Sequence, residues 1–254
     1  AELRSILGVR DDRYRCDGKT DINRSEAVWA ADWYDRAVST HGDGVTWRGY
    51  AILRQILKGQ FLALRSAGLQ IELTSNYAQP TSQDLRSSVL EAGRIVVQAT
   101  AGDYQEFEKV PHHLFRETEW TADGEWLLWN DVFRIVHDMV AHVACPNSFS
   151  YHGELNGFFA HLSSIDASTR NGLLAARALC AETRLQNSWV NFFERHSHLS
   201  PADRPYAEQK CLLAPVAFLR PVCQSQRVLW GRETRDGINI YDVIGQPEVC
   251  EASV

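Results

Sequence analysis

The sequence predicts a mainly α-helical protein that folds as a single domain over residues 1–254, with a small β-sheet and a hairpin added to the helices. Three observations predict this class. Apolar residues recur every three to four positions over most of the chain. Strand signals are confined to two short apolar runs and one Asp-Gly pair. No internal repeat, low-complexity tract or linker divides the 254 residues.

The first half of the chain predicts two helices followed by a small sheet. Glu26–Val38 has helical spacing, and Thr46–Ala67 carries an apolar stripe that ends before a glycine. The runs LQIELT at 69–74 and RIVVQAT at 94–100 contain several β-branched residues, so we expect two strands that pair with each other. We expect a short helix from Asp84 to Ala92 between them.

The second half is predicted to be more helical. A polar, acidic connection at 103–125 leads into helices at Trp126–Ala144, Gly153–Ile165 and Ser168–His196. Near the end of the chain, an Asp-Gly pair at 236–237 stands between alternating residues, a pattern typical of a hairpin.

The composition narrows the classes of partner. Acidic residues outnumber basic ones, 32 to 26, and no run of Lys or Arg occurs, which argues against nucleic acid and anionic membranes. No stretch approaches the roughly 18 apolar residues of a membrane-spanning helix. The six cysteines are scattered without a CxxC pair, and no apolar leader is visible, so we expect reduced thiols in a cytoplasmic protein. A small molecule is the expected partner.

Candidate metal ligands cluster on three consecutive predicted helices. On the first helix, Asp138 and His142 are four residues apart and are expected to project side by side, as two ligands of one ion do. His137 points about 100° away from Asp138 on an α-helix, which makes it a poorer ligand for the same ion. An ordinary ion pair between Arg134 and Asp138 is the alternative interpretation of this helix.

The other two predicted helices favour the metal site over an ordinary ion pair. Glu154 and His161 are seven residues apart, on one face but about 10 Å apart along the axis, which favours two ions or one ion with a supporting partner. Glu154 also fits a carboxylate at a helix N-terminus. Glu182 falls within an apolar stripe, where a carboxylate needs a metal or an Arg from elsewhere in the fold. The predicted metal site, within a helical core at about 126–196, comprises His137, Asp138, His142, Glu154, His161 and Glu182.

The mixture of imidazole and carboxylate groups suits a divalent transition metal, with iron favoured and zinc or manganese as alternatives. Polar residues on the same helices are expected to bind a small polar substrate beside the metal. These predicted substrate-binding residues are Arg134, Arg184, Gln186, Asn187 and Trp189.

The adjacent His137–Asp138 pair on a helix resembles the centre of the HD-domain metal enzymes, a family of helical phosphohydrolases and di-iron oxygenases. The resemblance covers scattered positions within about 55 residues, and the glycine and lysine usual after the pair are missing. It implies an upstream ligand at His112 or His113, and downstream ligands at His161 and Asp166.

The expected function is therefore that of a metal-dependent enzyme. Ligation by histidine and carboxylate without cysteine favours a non-haem oxygenase or oxidase with one or two iron ions, acting on a small polar substrate. A metallohydrolase with an HD-like His/Asp site is the second interpretation. A non-catalytic helical binding protein, in which the cluster is only a buried network of ion pairs, is the third.

Overall fold

The computed structural model describes residues 2–10, 23–75, 81–100 and 111–219, and the backbone of 234–235 and 238–239. The protein is mainly α-helical with small β additions, which confirms the predicted fold class. The α-helices are α1 Glu2–Ile6, α2 Arg24–Arg36, α3 Gly44–Ser66, α4 Ser82–Ala92, α5 Trp129–Asp138, α6 Tyr151–Leu162, α7 Arg170–Cys180 and α8 Gln186–Phe192. The strands are β1 Gln70–Thr74, β2 Arg94–Gln98, β3 Glu117–Ala122, β4 Glu125–Leu128, β5 Thr234–Arg235 and β6 Ile238–Asn239.

Short polar side chains fix where most helices begin. Asp43 accepts the N–H of Thr46 at the start of α3 (3.0 Å), and Thr81 accepts the N–H of Asp84 at the start of α4 (3.1 Å). At the start of α6, Ser150 accepts the N–H of Gly153 (3.2 Å). These caps satisfy backbone donors that have no partner within the helix.

The strands form three separate two-stranded sheets. As predicted, β1 and β2 pair, and they are parallel because α4 carries the chain back between them.

The hairpin of β3 and β4 was not predicted. The prediction of a helix from residue 126 is wrong at its start, since β4 continues to Leu128. Asp123 and Gly124 at its turn both have positive φ, 52° and 85°. The predicted C-terminal hairpin is confirmed by the pairing of β5 with β6, and its Asp-Gly turn lies outside the described residues.

Two helices widen into π-helical turns, at Met139–Ala144 after α5 and at Ala181–Leu185 after α7. In the first, the N–H of Cys145 donates to the carbonyl of Val140, five residues earlier (3.0 Å). The sequence predicted uninterrupted α-helices at both places. A π turn changes which side chains share a face, because residues five apart come into line.

Helices α3 and α7 pack against each other in the hydrophobic core. Tyr50, Leu53, Leu57 and Phe61 of α3 are fully buried there. Cys145, Cys180 and Cys211 are buried free thiols, as expected, whereas the other three cysteines lie outside the described residues. Among the helices that the structure describes, none combines the length and the apolar character needed to cross a bilayer.

Candidate metal centre

A close approach of two helices creates the centre. Helix α6 packs against the π turn that follows α5, and Gly157 makes the contact possible. A Cβ atom on Gly157 would lie 2.5 Å from Cβ of Ala141, closer than two carbon atoms can approach. This glycine therefore lets Glu154, one turn earlier on α6, approach the histidines of the neighbouring helix.

His137, His142 and Glu154 meet at this contact. Each offers one ligand atom, and the three atoms lie within 4.8 Å of one another. Oε2 of Glu154 is 3.3 Å from Nε2 of His137, and Oε1 is 3.2 Å from Nε2 of His142. The described residues contain one such group of histidine, cysteine and carboxylate side chains.

The tautomer of His142 is fixed by the backbone. Its Nδ1 lies 3.1 Å from the carbonyl oxygen of Asn147, which can only accept a hydrogen bond, so Nδ1 carries a proton. Asn147 is itself held by its side-chain amide, which donates to the carbonyls of Ala141 and Cys145 (both 2.9 Å). Nε2 of His142 is therefore the nitrogen available to a metal, in the way that carbonyl groups orient metal-binding histidines.

Electrostatics couple the three side chains. Burial opposes the charged form of His142, but the carboxylate of Glu154 outweighs it and raises the pKa of His142 to about 9. Burial also opposes ionisation of Glu154, yet His142 and His137 hold the pKa of its carboxyl well below the ordinary value. In the metal-free protein, Glu154 is an anion that faces protonated His142.

Asp138 stands beside this group but is not part of it. Burial raises the pKa of its carboxyl, while the positive charges of His142 and His137 act in the opposite direction. The structure does not place Asp138, which was expected to pair with His142 as a ligand, among the three ligand atoms that converge. The π turn brings His137 onto the face of His142, and the two rings lie 5.6 Å apart.

His161 lies next to the group, and its ring centroid is 6.0 Å from that of His137. It is fully buried, and burial together with the charge of His137 lowers its pKa to about 3. Its Nε2 is 3.3 Å from Oε1 of Gln60 on α3. The structure therefore places His161 behind His137 rather than among the three converging ligand atoms.

Glu182 belongs to a different cluster. Its Oε1 accepts a short hydrogen bond from Oη of Tyr50 and lies 3.2 Å from Nε2 of His112. Oε2 accepts a hydrogen bond from Nε2 of Gln186 (3.2 Å). The buried carboxylate has the strong partners that its apolar position requires. The partners are a phenol and an imidazole, neither the metal ligands nor the Arg that the sequence suggested.

The two His–Glu pairs differ in the direction of their protons. Nδ1 of His112 accepts the N–H of Leu114 (3.2 Å), so the proton of the neutral ring is on Nε2, facing Glu182. In the neutral ring of His142 the proton is on Nδ1 and the lone pair is on Nε2. Only the second arrangement presents a lone pair to a metal beside a carboxylate.

Two predicted substrate-binding arginines make contacts with the protein itself. Arg134 donates from Nη1 to the carbonyl of Gln98 (2.8 Å). It remains close enough to Asp138 to lower the pKa of that carboxyl against the effect of burial. Arg184 is buried, and its Nη2 is 2.8 Å from Oε1 of Glu26, which ties it to α2.

The remaining predicted substrate-binding residues lie on α8. Gln186 donates to Glu182, and Nε1 of Trp189 donates to Oδ1 of Asp35 (3.1 Å). Asn187 is half-buried. Trp189 is thus anchored to α2 in the same way as Arg184.

The ligand set implied by the resemblance to HD-domain enzymes is not assembled. His112 contacts Glu182, and the exposed carboxylate of Asp166 accepts hydrogen bonds from the N–H and hydroxyl of Ser168. Comparisons of the chain with models of protein families, with curated proteins and with solved structures find no match in any of the three.

Proposed function

We propose that His137, His142 and Glu154 bind one divalent transition metal ion and that the protein is a metal-dependent enzyme. The position of Glu154 carries this proposal, because its two oxygens lie 3.3 and 3.2 Å from Nε2 of two different histidines. Two ligand atoms that are each ~2.1 Å from one ion and ~90–110° apart are separated by ~3.0–3.4 Å. The spacing of the side chains thus suits a shared ion.

Partial exposure of the centre supports a catalytic rather than a purely structural ion. The side chains of His137 and Glu154 retain 10% and 16% of their accessible surface, while His142 retains 1%. Three protein ligands leave coordination positions for water and a substrate. A structural ion is usually enclosed by four protein ligands.

Iron is the metal that we favour. Two histidines and one carboxylate with open positions are the ligand set of many non-haem Fe(II) oxygenases. We therefore propose a non-haem iron oxygenase or oxidase that acts on a small polar molecule. The bound iron would supply the oxidation chemistry, and the protein would hold the iron and admit the substrate from the side of Glu154.

A metallohydrolase is the second candidate, and Asp138 favours it. Two histidines and a glutamate also bind catalytic zinc in hydrolases. The carboxyl of Asp138 lies beside the same histidines, and burial raises its pKa, which makes it a better proton acceptor near neutral pH. In this candidate Asp138 would take the proton of a water molecule that the metal activates.

Metal analysis and nitric oxide binding test the proposal without knowledge of the substrate. The protein, stripped with a chelator and reconstituted anaerobically with Fe(II), should bind about one iron per chain. Addition of nitric oxide, a surrogate for O₂, should then give the high-spin EPR signal of an iron nitrosyl with an open coordination position. The Glu154→Gln variant is the matched control and should lose both iron and signal.

Different outcomes separate the candidates. Tight stoichiometric zinc with weak iron would favour the hydrolase. Failure of Fe(II), Mn(II) and Zn(II) to bind at stoichiometry after reconstitution would overturn both candidates and leave the cluster as a network of ion pairs.

A further inference from the structure

Two buried nitrogen atoms behind the candidate centre have no hydrogen-bond partner among the described residues. They are Nδ1 of His137 and Nδ1 of His161. Their residues are 8% and 0% exposed, so bulk water does not satisfy them. Buried polar atoms are nearly always hydrogen-bonded, and two unsatisfied atoms on neighbouring rings require an explanation.

The tautomer of His161 follows from a chain of fixed contacts. Nε2 of Gln60 donates to the carbonyl of Leu7 (2.8 Å) and to Oγ of Ser164 (3.1 Å), which fixes the orientation of its amide. Oε1 of Gln60 therefore faces His161 and can only accept. The proton of neutral His161 is on Nε2, and Nδ1 carries a lone pair.

The tautomer of His137 depends on what Nε2 binds. A metal on Nε2 requires the ring proton to be on Nδ1, and that N–H then needs an acceptor. The unpaired Nδ1 of His161 belongs to a ring whose centroid is 6.0 Å from that of His137. No other buried nitrogen without a partner lies on a ring in contact with His137 among the described residues.

We propose that His161 is a positioning residue for the metal centre, which accepts the Nδ1–H of His137 through one bridging water molecule, because rings whose centroids are 6.0 Å apart are too distant for a direct hydrogen bond. The hydrogen bonds then run in one direction, from metal-bound His137 to His161 and from His161 to Gln60. This relay satisfies both buried nitrogens at once and fixes Nε2 of His137 as the ligand atom. Helix α3, which carries Gln60, thereby supports a centre built by α5 and α6. The inference rests on the proposed metal site.

Long-range ¹H–¹⁵N NMR correlation of the histidine rings tests the relay in the wild-type chain, with Zn(II) as the diamagnetic probe. We expect His161 to carry its proton on Nε2 with and without zinc. We expect His137 to carry its proton on Nδ1 when zinc is bound. A proton on Nε2 of His137 in the zinc-loaded protein would overturn the relay, although zinc binding itself would still support the metal site.

Zinc affinity of variants gives the second measurement. His161→Phe removes the acceptor and should weaken zinc binding by about 10–100-fold, the usual effect of removing a residue that supports a ligand. His161→Asn places an amide oxygen near the position of Nδ1 and should restore most of that loss. His196→Phe is the matched control; His196 is a buried histidine that bonds to the carbonyl of Trp189 (2.9 Å), and its loss should leave zinc affinity unchanged.

A further variant covers the case in which His161→Phe does not fold. Gln60→Leu removes the acceptor that fixes the tautomer of His161 and should weaken zinc binding while His161 itself is retained. Equal zinc affinity in a folded His161→Phe protein and the wild type would overturn the relay alone. Absence of zinc binding by the wild type would instead overturn the metal site and the relay with it.

Discussion

The rings of His137 and His142 lie 5.6 Å apart, although the two residues are five positions apart in one helical segment. On an α-helix this spacing would point the side chains about 140° away from each other. The π turn at Met139–Ala144 removes most of this angle, because its backbone hydrogen bonds span five residues. The cluster thus depends on a local departure from α-helical geometry, and π turns often occur at functional sites.

Loss of His142 should abolish metal binding with little effect on the helices. In the wild type, zinc at 100 times its dissociation constant should stabilise the fold by about 2.7 kcal/mol, measured as a rise in melting temperature. His142→Ala should show no such rise, because only two of the three ligands remain. The helical circular dichroism signal of the variant should be retained. His196→Ala should keep the full zinc effect. A normal zinc effect in His142→Ala would exclude His142 as a ligand.

Two buried carboxylates should respond to the same substitution in opposite ways. Glu154→Gln removes the charged ligand, so zinc affinity should fall by at least about tenfold. Glu182→Gln should leave zinc affinity unchanged but lower the free energy of unfolding by about 1–3 kcal/mol, because the hydrogen bond from Tyr50 loses a charged acceptor and His112 loses its ion-pair partner. Isothermal titration with zinc and urea unfolding of both variants provide the comparison. Weakened zinc binding in the Glu182→Gln variant would support Glu182 as a metal ligand.

Much of the fold follows from local sequence patterns. Periodic apolar residues predict α2, α3 and α6 within a few residues of their observed ends, and β-branched runs predict β1 and β2. The hairpin of β3 and β4 was missed although Asp123–Gly124 carries the same turn signal as the C-terminal Asp-Gly pair. The tryptophan-rich run into α5 has helical spacing from residue 126, which conceals the end of β4 at Leu128.

The site was predictable only as a set of residues. The apolar periodicity of a helix does not reveal a π turn, and α-helical spacing favours Asp138 over His137 as the partner of His142. The partners of Glu182 could not be predicted either, since Tyr50 is 132 residues away and meets it through the packing of α3. Asn147 and Gln60 carry no motif, and only the tertiary structure reveals what they orient. Metal binding itself stays a prediction.

Stability of the metal-free protein should depend on pH through His142. Its pKa is raised to about 9 in the fold, against about 6.5 in the unfolded chain. A raised pKa adds stability that is complete below about pH 6.5 and is lost as the pH rises through about 9. The contribution of His142 to the free energy of unfolding in a chelator should therefore fall over this interval, by at most about 3 kcal/mol.

Zinc binding should show the opposite trend, since the metal requires the deprotonated ring of His142. Its affinity should rise by up to about tenfold per pH unit over the same interval. Urea unfolding with a chelator and zinc competition titrations, each between pH 6.5 and 9, measure the two effects. His142→Ala should show a smaller loss of stability with pH than the wild type; the remaining loss comes from His112, whose pKa Glu182 raises to about 10 against the effect of burial. An equal loss of stability with pH in the wild type and in His142→Ala would contradict the charged pair of His142 and Glu154.

Gly157 should be essential to the approach of α6 to the π turn, and Gly157→Ala tests this contact. The added Cβ would lie 2.5 Å from Cβ of Ala141, so the helices must separate. We expect a loss of about 1–3 kcal/mol in the free energy of unfolding, the usual cost of overpacking. Because metal–ligand distances tolerate only ~0.2 Å, the displacement of Glu154 should also weaken zinc binding, by about tenfold.

Gly59→Ala is the matched control. Gly59 lies on the exposed face of α3, with no described atom within 4 Å of the new Cβ. This change should stabilise the helix by about 0.5–1 kcal/mol. Equal stability and zinc affinity in the two variants would show that Gly157 does not position Glu154.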